Sequence, residues 1–211
     1  SLANGNDASY TYENGSATAT DTLYGIENIV GNDGDDTFTG NTDANTIQGA
    51  EGADTIYGST GNDYIDGGDD IDLLDYSFVN GSLTIDLTDT SYQTVFTDSG
   101  TAYQNKILNI ENIQGSGYDD IITGNSLVNV FYGGGNDDTL DGGANNDTLY
   151  GESGDDSLIG GEGDDTLDGG ANNDILKGGE GDDTLDGGDG IDTVAYSNAL
   201  DDLTIDLSVS N

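Results

Sequence analysis

Aspartate recurs on a nine-residue spacing through most of this chain. One run holds Asp36, Asp54, Asp63 and Asp72; a second holds Asp120, Asp138, Asp147, Asp156, Asp165, Asp174, Asp183 and Asp192. Each stands five residues after a glycine and two before an apolar residue. A carboxylate at fixed distance from glycine-rich backbone supplies two kinds of oxygen, carboxylate and peptide carbonyl, in a pliable turn. Those are the donors that Ca²⁺ takes, six to eight at a time, and Mg²⁺ fits them less well because it demands an octahedron and keeps its water.

The rest of the composition narrows the chemistry to that. There is no Cys, so thiolate metal sites and disulfides are excluded, and no His, the commonest general base and transition-metal ligand. Forty-three acidic residues face only Lys106 and Lys177, a formal charge of −41. Nucleic-acid backbones and anionic lipid therefore have nothing to bind, and no apolar stretch approaches the roughly 20 residues of a membrane span. Paired carboxylates for glycoside hydrolysis carry no signal among so many exposed acids, and the sequence is not read as an enzyme. Hydrophobic residues make up 32 %, little for a chain with so much self-repulsion. Cohesion has to come from a multivalent cation.

The elements that position the aspartates follow from the frame x-G-x-x-G-x-D-x-U, with U apolar. It runs without interruption from Val30 to Leu74 and again, through nine units, from Gln114 to Val194. Short strands cannot stand alone, but stacked strands form ladders about 4.8 Å apart. With one strand on each side of the coil a full turn takes 18 residues, so residues i and i+18 become neighbours. Asp138, Asp156 and Asp174 then fall on one edge, and Asp147, Asp165 and Asp183 on the other. Without metal these columns repel.

A longer repetition overlies the first. Gly25–Gly31 (GIENIVG) returns as Asn109–Gly115 (NIENIQG), and Ile71–Leu87 returns as Ile191–Leu207. The chain reads as a window on a longer tandem protein: a partial connector or cap (1–29), a first roll of five units (30–74), a connector (75–113), a second roll of nine units (114–194) and the start of another connector (195–211). In the connector, Leu83, Ile85 and Leu87 alternate as in a half-buried strand, and Ile107, Ile110 and Ile113 lead into the next array. Short antiparallel strands capping the rolls are expected there. The start SLANGNDASY lacks the regions of a signal peptide.

The unit GGEGDDTLD resembles the GGxGxDxUx nonapeptide of the RTX (repeats-in-toxin, haemolysin-type) proteins, over about 126 of the 211 residues. The resemblance implies an all-β fold, a parallel β-roll or β-solenoid, with two rolls joined by short antiparallel β connectors. It also implies type I secretion and a secreted, extracellular or cell-surface location. The frame counts about eight full Ca²⁺ sites at intact i/i+18 pairs. Asn45/Asp63 and Asn129/Asp147 are expected to be weak or empty. The expected function is a calcium-binding scaffold or spacer whose folding is triggered by Ca²⁺ after secretion, in an adhesin, surface layer or filament. Self-association into a filament or lattice is one partner such a module allows. The alternative is a carbohydrate-binding accessory module of a secreted enzyme or toxin, disfavoured because two lysines offer little to an anionic glycan.

Overall fold

The computed structural model describes residues 7–13 and 18–196, with side chains from Gly25 onward. Much of the terminal connector (197–211), with its repeat of the Leu83–Leu87 pattern, lies outside the described residues, as do 1–6 and 14–17. Among the described residues every regular element is a strand. The nine-residue frame becomes a coil with one strand per unit, alternately on two faces. Thr148–Tyr150 pairs in parallel with Thr166–Asp168, and that with Thr184–Asp186, each step being 18 residues. The expected parallel β-roll is the fold of the chain.

One apolar side chain per unit points into the coil because strand residues alternate sides. Phe38, Ile56, Leu74, Ile113, Phe131, Leu149 and Leu167 line one inner face; Ile47, Ile65, Ile107, Ile122, Leu140, Leu158 and Leu176 line the other, and all are essentially inaccessible to water. The glycine two residues further on, as in Gly49 or Gly151, also points inward and is buried. The interior is therefore thin, one file of side chains per face.

The connector does more than cap. Leu83, Ile85 and Leu87 are all buried, and Gln93–Asp98 forms an antiparallel hairpin with Thr101–Leu108, the element type expected there. The flanking segments take parallel places in the ladders of both arrays. Asn112–Gln114 lies between Leu73–Asp75 and Val130–Gly135, so one sheet of eight strands runs unbroken from Thr37–Thr39 to Thr184–Asp186. On the opposite face Lys106–Leu108 pairs with Tyr64–Asp66, while Thr84–Asp86 pairs with Ile121–Thr123. Between them the hairpin closes onto Leu83 through an antiparallel bridge with Phe96. Ile113, Ile107 and Ile85 carry the inward apolar position at the right offset, and pairing in register removes two exposed sheet edges at once.

Candidate metal centres

Each strand is entered from a six-residue turn, and the turn's last residue is the aspartate of the frame. These aspartates stack as expected. The backbone N–H of each donates to the carboxylate one coil later: Asp36 to Asp54 (2.7 Å), Asp54 to Asp72 (2.8 Å), Asp120 to Asp138 (2.7 Å), Asp138 to Asp156 (2.7 Å) and Asp147 to Asp165 (2.8 Å). The same bond joins Asp156 to Asp174 (2.8 Å), Asp165 to Asp183 (3.1 Å) and Asp174 to Asp192 (3.1 Å). One oxygen of each accepting carboxylate is thereby used. The other oxygen divides the turns into two kinds.

In five turns the aspartate, or the asparagine in its place, is also bonded locally by the residue four positions before it. Asn32 N–H donates to Asp36 Oδ2 (2.9 Å), Asn41 N–H to Asn45 (2.7 Å), Ser59 Oγ to Asp63 Oδ2 (3.1 Å), Ser116 N–H to Asp120 Oδ2 (2.7 Å) and Asn125 N–H to Asn129 (3.0 Å). In the other nine turns that residue has a positive φ: Ala50, Gly68, Gly134, Gly143, Glu152, Gly161, Gly170, Gly179 and Gly188. Where the ladders extend this far it pairs with the neighbouring coil, as Gly143 does with Gly161, and makes no bond to its own aspartate. Asp54, Asp72, Asp138, Asp147, Asp156, Asp165 and Asp174 consequently each keep one buried carboxylate oxygen with no hydrogen-bond partner. All seven belong to positive-φ turns.

A buried, unpartnered carboxylate oxygen is costly unless a cation meets it. The space it faces is consistent with one. A Cβ built on Gly151 would strike Asp156 Oδ2 and the carbonyl oxygen of Gly169 (2.5 Å); one on Gly160 would strike Asp165 Oδ2 and the carbonyl of Gly178 (2.6 Å); one on Gly49 would strike Asp54 Oδ2 and the carbonyl of Gly67. Carboxylate and next-coil carbonyl thus converge over a glycine that has room for nothing larger than hydrogen. No group of three acidic side chains converges on one point among the described residues. Further donors in such a cradle have to be backbone oxygens or water, the mixture that suits Ca²⁺.

Burial is the first cause of the raised acidity constants along the columns. It pushes Asp72, Asp147 and Asp156 up to about 6 and Asp138 up to about 8, with neighbouring carboxylates adding to the shift and the N–H of the preceding coil opposing it. The metal-free fold therefore holds protons that the unfolded chain has released. Its stability is greatest below the ordinary carboxylate range and is lost as pH rises through about 6 to 8. Circular dichroism in chelator should show more β structure at pH 5 than at pH 8, and the Ca²⁺ midpoint should rise as pH falls, because each ion displaces protons. A chelated protein indifferent to pH would contradict this.

Asp63 differs from its neighbours. Both its oxygens are bonded, to Asn45 N–H and Ser59 Oγ, and the ring of Tyr76 occupies the space over Gly58. Asp36 and Asp120 are stacked as expected but bonded within their own turns. Asp183 and Asp192 sit in positive-φ turns at the more exposed end. The frame did not reveal the inward glycines or Glu111. Glu111 stands in the column after Asp72 and accepts its N–H at 3.0 Å. The signal for it was in the duplicated NIENI segment.

Fold and cradles together define a parallel β-solenoid built to hold hard cations between successive coils. The chain belongs to the family of the RTX calcium-binding nonapeptide repeat, whose profile it matches at residues 21–49, 39–74, 109–126, 124–158, 132–167 and 159–194. Repeats of this family bind Ca²⁺. No curated protein matches the chain.

Proposed function

We propose that the chain is a calcium-triggered structural module of a secreted protein, serving as scaffold or spacer within a large surface protein such as an adhesin, surface layer or filament. The observation that carries this reading is the single eight-strand sheet spanning both arrays, flanked by buried carboxylate oxygens that lack partners. Asp54, Asp72, Asp138, Asp147, Asp156, Asp165 and Asp174 would hold the ions, each with a carbonyl of the next coil. Asp183 and Asp192 share their turn conformation. Asp36, Asp63 and Asp120 are bonded locally and would contribute mainly by stacking. The ions neutralise the columns, so that binding and folding become one process. At the low Ca²⁺ of a cytosol the chain stays open, and at extracellular Ca²⁺ it closes into a rod.

Small-angle scattering tests the mechanical part. In chelator the radius of gyration should approach the roughly 50 Å of an unfolded chain this long, and in millimolar Ca²⁺ it should fall below about 25 Å with an elongated distance distribution. A compact isotropic particle would contradict the spacer. A multi-subunit species formed on adding Ca²⁺ would instead favour a lattice or filament subunit.

A further inference from the structure

The first array ends at Asp72, and its stacking partner 18 positions on would be Thr90, which has no carboxylate. The coil that follows Asp72 in space comes from much later in the chain. Only Asn109, Ile110 and Glu111 separate the strands Thr101–Leu108 and Asn112–Gln114. This short turn stacks directly on the turn Gly67–Asp72, because Asn112 pairs with Leu73 and Leu108 with Asp66.

We propose that Gly67, Asp72, Asn109 and Glu111 form an additional Ca²⁺ site, one that the connector completes and that staples the two arrays into one folding unit. The proposal rests on the calcium-triggered reading above but uses ligands from outside the nonapeptides. Asp72 is wholly buried and its Oδ2 has no hydrogen-bond partner. That oxygen faces the space over Gly67, where a Cβ would strike both it and the carbonyl oxygen of Asn109. Asn109 is held there with φ +49°, its Nδ2 donating to Asp66 Oδ1 at 2.7 Å. Glu111, 8 % exposed, accepts the Asp72 N–H at 3.0 Å and brings a second carboxylate to the same junction. A hard divalent ion taking carboxylate and carbonyl oxygens is the ligand this arrangement suits.

The other edge of the same junction shows how it is closed without an ion. Asp63 N–H donates to Asn105 Oδ1 (2.9 Å), Asn105 Nδ2 donates to the Tyr76 hydroxyl (2.8 Å), and the buried Tyr76 ring fills the space over Gly58. Neutral groups plug that cradle. The Asp72 edge has no plug, two carboxylates and an unpartnered oxygen.

Two variants of the full chain test this. Glu111→Gln keeps an acceptor for the Asp72 N–H and removes only charge; Gly67→Ala fills the space with a methyl group. Calcium stoichiometry by flow dialysis is combined with amide hydrogen exchange at Thr55 and Leu73 in the first array and at Thr148, Thr166 and Thr184 in the second. Each variant should bind one Ca²⁺ fewer at the concentration that just saturates the parent. The first array's protection should need roughly tenfold more Ca²⁺, while the second array's midpoint stays in place. An unchanged ion count with coincident midpoints in Glu111→Gln would overturn the proposal, and that variant decides if Gly67→Ala fails to fold. A parent that does not fold on adding Ca²⁺ would instead overturn the calcium-triggered reading itself.

Discussion

In chelator at neutral pH the chain should give the circular dichroism of a disordered polypeptide, and millimolar Ca²⁺ should convert it to a β spectrum, a change in essentially the whole of its ordered structure. Each nonapeptide of the second array buries one large apolar side chain, about 1.5–3 kcal/mol of transfer free energy. The entropy of ordering nine residues exceeds that. Sheet hydrogen bonding adds little net stability, since the unfolded backbone bonds to water. Against folding stand the formal charge of −41 and the seven carboxylate oxygens that folding buries without partners. A cation between coils changes the sign of the last two contributions at once. Mg²⁺ at the same concentration should be much less effective, because the cradles offer irregular backbone oxygens rather than an octahedron. A chain fully folded in chelator at neutral pH would refute the calcium-triggered reading.

The second large effect separates two aspartates that are indistinguishable in the repeat frame. Asp156→Asn should raise the Ca²⁺ midpoint of folding at least about tenfold, while Asp36→Asn should change it far less. Both side chains begin a strand, and an asparagine oxygen at Asp156 can still accept the N–H of Asp138, so the stacking bond survives. What Asp156 loses is the charge on an oxygen that has no protein partner and faces the carbonyl of Gly169. The corresponding oxygen of Asp36 is already taken by the N–H and side chain of Asn32. Calcium titrations followed by circular dichroism, run side by side, measure the difference. Equal shifts in the two variants would show that the turn conformation does not select the sites.

The contrast between these aspartates marks how far the sequence could be read. The frame located the strands, the inward apolar file from Phe38 to Leu176 and the 18-residue stacking of the carboxylates. Those features depend only on local periodicity, and each unit repeats the same local problem. Asp36, Asp120 and Asp156 carry the same label in that frame. Their roles diverge because the residue four positions earlier is Asn32, Ser116 or Glu152, and because Glu152 has φ +70° while the other two do not have positive φ. Glycine at that position hints at the open turn, yet Ala50 and Glu152 adopt it as well, so residue type alone does not decide.

The connector shows the same division more sharply. Its composition announced a change of structure, and the antiparallel hairpin of Gln93–Asp98 with Thr101–Leu108 is what alternation of apolar and polar residues produces. That Asn112–Gln114 would slide between Leu73–Asp75 and Val130–Gly135 is a pairing across 39 residues on one side and 18 on the other. No local pattern specifies such a partner. It is chosen because two open sheet edges and the buried side chains of Leu74, Ile113 and Phe131 are all satisfied together. The sequence by itself determined a repeating coil with carboxylates at its edges. Tertiary structure decided which carboxylates are left without a partner, and it brought Glu111 to the end of the first array, because both depend on which backbone lies against which.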